Sequence, residues 1–341
     1  MTGESKTTMP KTAKGEGPKV ISAIFVFPFV TLNKYYKLRY GEVGASVDLA
    51  PNYPTLAKLF PSVISFVFGE APTENPVFAI SANHPEWFVI ELEHLKFMFE
   101  SRLYPASGEV FGNSTKFVIE ENADEKSLWI GSHLKVQLSK DASLSINIQR
   151  SAKPLIRWDE ESLANFESVL SDILSDSFYH SLLRCIENAD DKEISKERAR
   201  INIAITLFNQ CYIGPNDEPP TTPVRIMLLA AAFEALLNLP SDSIVSSFEY
   251  AITTLLGGKT ARLKKWCRDF YSLRSGLVHG DIIWRERDES QQLLGFPKAG
   301  DVWIARQLFI YLLKVKLYLL GIYPDFRRGE LDLEGLFSKQ S

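Results

Sequence analysis

Near its C-terminus the chain reads Tyr271-Ser272-Leu273-Arg274-Ser275-Gly276-Leu277-Val278-His279-Gly280-Asp281, with an arginine and a histidine five positions apart. A guanidinium is permanently charged, and its planar fork matches two phosphate oxygens. An imidazole with a pKa near ~6.5 accepts or donates a proton at neutral pH. Together the two side chains could bind a phosphodiester and move protons on it.

The elements that would position them follow from periodicity. On a helix over Thr260 to Leu273, residues Leu263, Trp266, Cys267, Phe270 and Leu273 share one face. Arg274 falls on that apolar face, one turn beyond Phe270. An unpaired guanidinium aimed at a core would cost several kcal/mol, so a partner is expected. The helix Ile226 to Leu239 is apolar almost throughout, and its only charge is Glu234. An ion pair between Glu234 and Arg274 is predicted, which could serve a site or simply lock two helices in register.

His279 poses a geometric problem. Continued as a regular helix, the chain would point it about 140° away from Arg274. Gly276 offers a break that could redirect the chain, and a twofold partner could instead bring the two side chains together. The alternative is a packed histidine bonded to a backbone carbonyl. The surroundings are basic: between Lys259 and Arg287 there are eight Lys or Arg and three acids, in a chain of formal net charge −4. That concentration suits a phosphate-bearing ligand, and it also suits a solvated helix face.

A helix ending Phe233-Glu234-Ala235-Leu236-Leu237, followed by one closing in Leu273-Arg274-Ser275-Gly276-Leu277-Val278-His279-Gly280, resembles the HEPN superfamily in its Apea-like branch. The resemblance covers roughly residues 195–323. It implies a helical bundle that dimerises and sets two Arg-x4-6-His motifs at one cleft. It implies a metal-independent endoribonuclease of toxin or antiphage-defence type, or a relative that has lost catalysis and binds RNA, a nucleotide or a protein. Carried over, the catalytic pair is Arg274 and His279, with Glu234 at a polar position beside the motif. Ser275 and Asp281 are the expected supporting groups, and Lys264, Lys265, Arg268 and Arg285 the expected RNA contacts. Cleavage would use the RNA 2'-hydroxyl as nucleophile, histidine moving protons and arginine stabilising the phosphorane charge. DNA lacks that hydroxyl, so RNA selectivity follows.

The remaining sequence defines the frame. Composition is that of a globular chain, 45% hydrophobic and 23% charged over 341 residues, long enough for two domains. Residues 1–18 read as a disordered leader. Residues 19–153 read as a strand-rich α+β domain, residues 154–325 as an all-α, HEPN-like bundle, and residues 326–341 as a tail. Strand-like runs are Ile21 to Phe29, Val63 to Phe68, Pro76 to Ile80, Lys116 to Ile119, Leu128 to Leu138 and Leu144 to Ile148. Glu86 to Leu103 has helical spacing and is expected to pack on the sheet. After Pro154, helices are predicted over Glu161 to Glu187, Ser195 to Cys211, Pro223 to Leu239, Ser243 to Leu256, Thr260 to Leu273 and Val302 to Leu320.

Other chemistries lack their signatures. Gly257-Gly258-Lys259-Thr260 resembles the end of a phosphate-binding loop, but Thr253 stands where that loop needs glycine. No G-x-S-x-G occurs, and His84, His94, His133 and His180 share no ligand spacing, so no metal or other cofactor is expected. Cys185, Cys211 and Cys267 are too scattered for a disulfide framework, which points to a reducing, cytoplasmic setting. The apolar run Val20 to Val30 is eleven residues, too short to span a bilayer. The expected partners are RNA and a second copy of the chain, with a protein partner or trigger acting through the N-terminal half.

Overall fold

A computed structural model describes residues 19–27, 32–45, 77–81, 83–102, 115–121, 126–130, 134–138, 160–187, 191–212, 220–240, 242–258, 260–279, 299–327, 329 and 331–338. Within them a strand-containing N-terminal part is followed by a helical region. The runs expected over Val63 to Phe68 and Leu144 to Ile148, and the leader, lie outside the described residues.

The strands are β1 (Lys19–Phe27), β2 (Tyr36–Lys37), β3 (Glu42–Ala45), β4 (Val77–Ser81), β5 (Thr115–Glu121), β6 (Lys126–Ile130) and β7 (Leu134–Leu138). They form one sheet in the order β2-β3-β4-β1-β5-β6-β7, with every neighbouring pair antiparallel. The run Leu128 to Leu138 is thus two strands of a hairpin rather than one.

Helix α1 (Pro85–Ser101) starts with proline, which suits a first turn because its missing N–H would be unbonded there anyway. It packs on β1 and β4 as expected, and its opposite face is buried too. On the sheet side the Phe88 ring meets Phe25 edge-on at 6.3 Å. On the helical side Phe97 meets Phe178, Phe208 and Phe309 at 5.1 to 6.4 Å. Two buried faces account for the weak amphipathicity that made this segment hard to read.

The remaining helices are α2 (Glu160–Ser175), α3 (Ser177–Leu183), α4 (Lys192–Gln210), α5 (Thr222–Leu237), α6 (Ile244–Leu255), α7 (Ala261–His279), α8 (Ala299–Leu319) and α9 (Leu333–Ser338). The single helix expected over Glu161 to Glu187 is broken at Asp176. That residue's carboxylate accepts from the Phe178 amide at 2.8 Å and starts α3 as an N-cap. Helix α5 runs through the middle of the bundle, against α4, α6, α7 and α8. Its Phe233 ring lies 5.3 Å from Phe248, 6.1 Å from Phe270 and 5.6 Å from Phe309. A helix enclosed on several sides has no polar face to keep, which explains the run Met227 to Phe233.

Candidate functional site

Two helix ends define the site. Helix α5 stops at Asn238, whose left-handed backbone (φ 52°, ψ 52°) lets the Leu239 amide return to the Glu234 carbonyl at 3.3 Å. Helix α6 stops at Gly257, where φ is +70°, a conformation that favours glycine. The Gly257-Gly258 pair is therefore a helix stop. Thr260 then caps α7, its hydroxyl oxygen accepting from the Leu263 amide at 3.1 Å.

Helix α7 docks through Leu263, Trp266, Cys267, Phe270 and Tyr271, all buried. Each such side chain contributes roughly 1.5–3 kcal/mol by leaving water, which holds the helix firmly over these three turns. Its next turn brings Arg274 opposite α5. Arg274 Nη2 lies 3.2 Å from Glu234 Oε1, with the two side chains 28% and 26% exposed. The pair sits at the edge of the core, reachable by solvent, and not deep within it.

Tyr271 completes this cluster. It is 1% exposed, and its hydroxyl donates to the same Glu234 Oε1 at 3.4 Å. Burial, then the Glu234 charge, push its phenol well above the ordinary range, with Arg274 partly offsetting them. The hydroxyl therefore stays protonated and remains a donor. The sequence reading did not single out Tyr271 as a site residue. The signal was its position three residues before Arg274, which places both on one helix face.

His279 is the last residue of α7 and is exposed. The helix runs through Gly276 without a break, so the redirection that glycine could have offered does not occur. His279 and Arg274 consequently point about 140° apart around one axis. Lys265, Arg268, Ser272 and Ser275, by contrast, lie within about 40° of His279 around the helix. Lys265, Arg268, Ser272 and His279 are exposed and Ser275 is half-buried, forming a solvent-facing stripe that runs about 21 Å along α7. Lys264 is half-buried and stands about 60° off it.

The stripe carries its own counter-charges. Lys265 pairs with Asp269 at 3.0 Å, and Arg268 Nε with Glu249 Oε2 of α6 at 2.8 Å. Both cations are more than 60% exposed, so these pairs are weak and exchangeable. Of the remaining expected residues, Asp281 and Arg285 lie outside the described residues.

The other titratable groups are placed elsewhere. His84 stacks on Trp87 with ring centres 4.8 Å apart. His94 is buried in α1 against Asn202, and His180 is exposed on α3. Among the described residues no group of three or more His, Cys, Asp or Glu gathers as a metal site, and no helix is long and apolar enough to cross a membrane. The three cysteines are buried thiols. Burial pushes Cys185 and Cys267 up to about 12 and Cys211 higher still, which makes them poor nucleophiles.

No family model, curated protein or solved structure matches this chain.

Proposed function

We propose that the chain is a metal-independent endoribonuclease of the HEPN type, working in a toxin or antiphage-defence setting, with Arg274 and His279 as its catalytic residues. The observation that carries this reading is the α7 stripe, where an exposed histidine ends a row of exposed, loosely paired cations. An RNA strand laid along it would exchange Asp269 and Glu249 for phosphates and present a ribose to His279. The imidazole takes the 2'-hydroxyl proton as that oxygen attacks the adjacent phosphorus, and a protonated imidazole returns a proton to the 5'-leaving oxygen. Arg274 stabilises the charge on the phosphorane. Since the two side chains diverge on one helix, the reaction draws them from two copies of the chain at a twofold cleft.

The test is RNA integrity in a bacterial host expressing wild type or His279→Ala, followed by incubation of the lysates in EDTA. Loss of a general acid–base is expected to slow cleavage by about 10²- to 10⁴-fold. Intact RNA with wild-type protein, or equal cutting by both, would remove the proposal.

A second reading is favoured by one specific observation: Arg274, Lys265 and Arg268 already have carboxylate partners within the chain. In it the same surface is a non-catalytic scaffold that binds RNA, a nucleotide or a protein. Such a binder tolerates Arg274→Lys, whereas an enzyme that needs the planar fork does not.

A further inference from the structure

A cleft of about 410 Å³ with no lining residue from α7 lies between the β2–β3 turn and helices α1 to α3. That size is within the range of small-molecule sites. Its apolar surface comes from Leu38 on the turn, Leu174 on α2, and Tyr179 and Leu183 on α3. Lys37 and His180, both exposed, stand on its two walls.

The walls are built and held. The turn closes with the Leu38 amide donating to the Gly41 carbonyl at 2.9 Å. Beneath it the buried Glu91 of α1 accepts from the Arg39 and Tyr40 amides at 2.9 and 2.8 Å. The Tyr179 hydroxyl of α3 donates to the same carboxylate at 3.2 Å. One side chain therefore ties the turn to α3 and fixes the cleft's width. Glu91's oxygens are engaged from within the protein, so the floor offers little to a ligand cation.

The charges at the mouth differ in availability. Arg39 is held in an ion pair with Glu187. Lys37 and His180 make no ion pair among the described residues. We infer that this cleft binds a small organic anion with an apolar body, the body lying on Leu38, Leu174, Leu183 and the Tyr179 ring, and the anionic group between Lys37 and His180. An uncharged ligand would leave the Lys37 ammonium and the His180 ring unused, and a fully polar anion would leave the floor unfilled. The site is independent of the proposed RNA chemistry.

The experiment titrates the full chain with 8-anilinonaphthalene-1-sulfonate, reading its fluorescence, with decanoate as competitor. Saturable one-to-one binding displaced by decanoate is expected. Lys37→Gln, a change on an exposed strand residue, should weaken it about tenfold through loss of a charge-assisted contact. Leu174→Trp should fill the cleft and abolish binding. Non-saturable uptake, no displacement by decanoate, or an affinity that Lys37→Gln leaves unchanged overturns the assignment. Should Leu174→Trp fail to fold, the Lys37→Gln result decides alone.

Discussion

Arg274 and His279 stand on one unbroken helix, with Gly276 between them, and face directions about 140° apart. A single phosphate cannot touch both within one chain. The proposed site is therefore composite, and this has a quantitative signature. Arg274→Ala and His279→Ala chains are each expected to be inactive. Mixed one to one and allowed to exchange, half the dimers are mixed, and each mixed dimer keeps one intact site out of two. About a quarter of wild-type cleavage should return, by the symmetry of a twofold interface. Recovery of nothing from a mixture that demonstrably exchanges subunits would rule out the shared cleft.

Glu234 holds two side chains of α7 at once, Arg274 at 3.2 Å and Tyr271 at 3.4 Å. The ion pair is partly exposed, so its worth lies between that of surface and buried pairs. Glu234→Gln is expected to lower the unfolding free energy by about 1–2 kcal/mol. A cycle with Arg274→Gln should give a coupling of about 0.5–2 kcal/mol in urea unfolding. A coupling within error of zero means the pair orders nothing. Tyr271→Phe should cost about 0.5–1.5 kcal/mol, since it removes one hydrogen bond and keeps the ring.

His94 makes stability depend on pH. Complete burial lowers its pKa from 6.5 to about 4, against a smaller raising effect of its 2.9 Å contact with Asn202 Oδ1. In the unfolded chain the ring takes up a proton near 6.5, while the folded chain resists until about 4. The stabilisation is thus fully present above about 6.5 and is lost as pH falls toward 4, on the order of 3 kcal/mol in all. His94→Gln keeps a partner for Asn202 and does not titrate. Its unfolding free energy, measured by urea between these limits, should fall less steeply by up to one proton's worth of slope. Parallel curves for variant and wild type would contradict this assignment.

Gly41 is fixed by close approach. A Cβ there would fall 2.5 Å from the Phe88 ring and 2.6 Å from the Ile80 carbonyl oxygen. The ring could shift, but Ile80 pairs with both Glu42 and Ile24 in the sheet and cannot. Gly41→Ala is expected to destabilise by about 1–3 kcal/mol, read as a lower urea midpoint. Gly258→Ala, with nothing within 4 Å of the added carbon, is the control and should change little.

The six helices expected after Pro154 were legible to within about three residues at their N-termini, because apolar residues recur at helical spacing and most are separated by short polar or Pro/Gly links. Glu234 and Arg274 could be paired from sequence since each is a lone charge on an apolar surface, and that contrast survives without coordinates. The course of α7 beyond Leu273 was not readable: Gly276 costs only about 1 kcal/mol in a helix, so its presence alone does not say whether the helix ends there. Strands β2 and β3 have two and four residues, too few to show an alternating period. Asp176 was visible as a cap type, but the apolar spacing of Leu170, Ile173 and Phe178 continues across it. The cleft was invisible because Leu38, Leu174 and Leu183 meet only through tertiary packing.

Helix α7 is anchored unevenly. Leu263 to Tyr271 lies in the core, while Val278 is 52% exposed and His279 is exposed at the very end. Amide exchange should therefore be graded along a single helix, slow at its buried turns and fast after Gly276, where few contacts oppose opening. Of the two residues proposed for chemistry, Arg274 is tied to Glu234 and His279 sits on the turn that frays first. The order of His279 is then borrowed from whatever docks there, and the apolar Val278 beside it gives such a visitor something to grip.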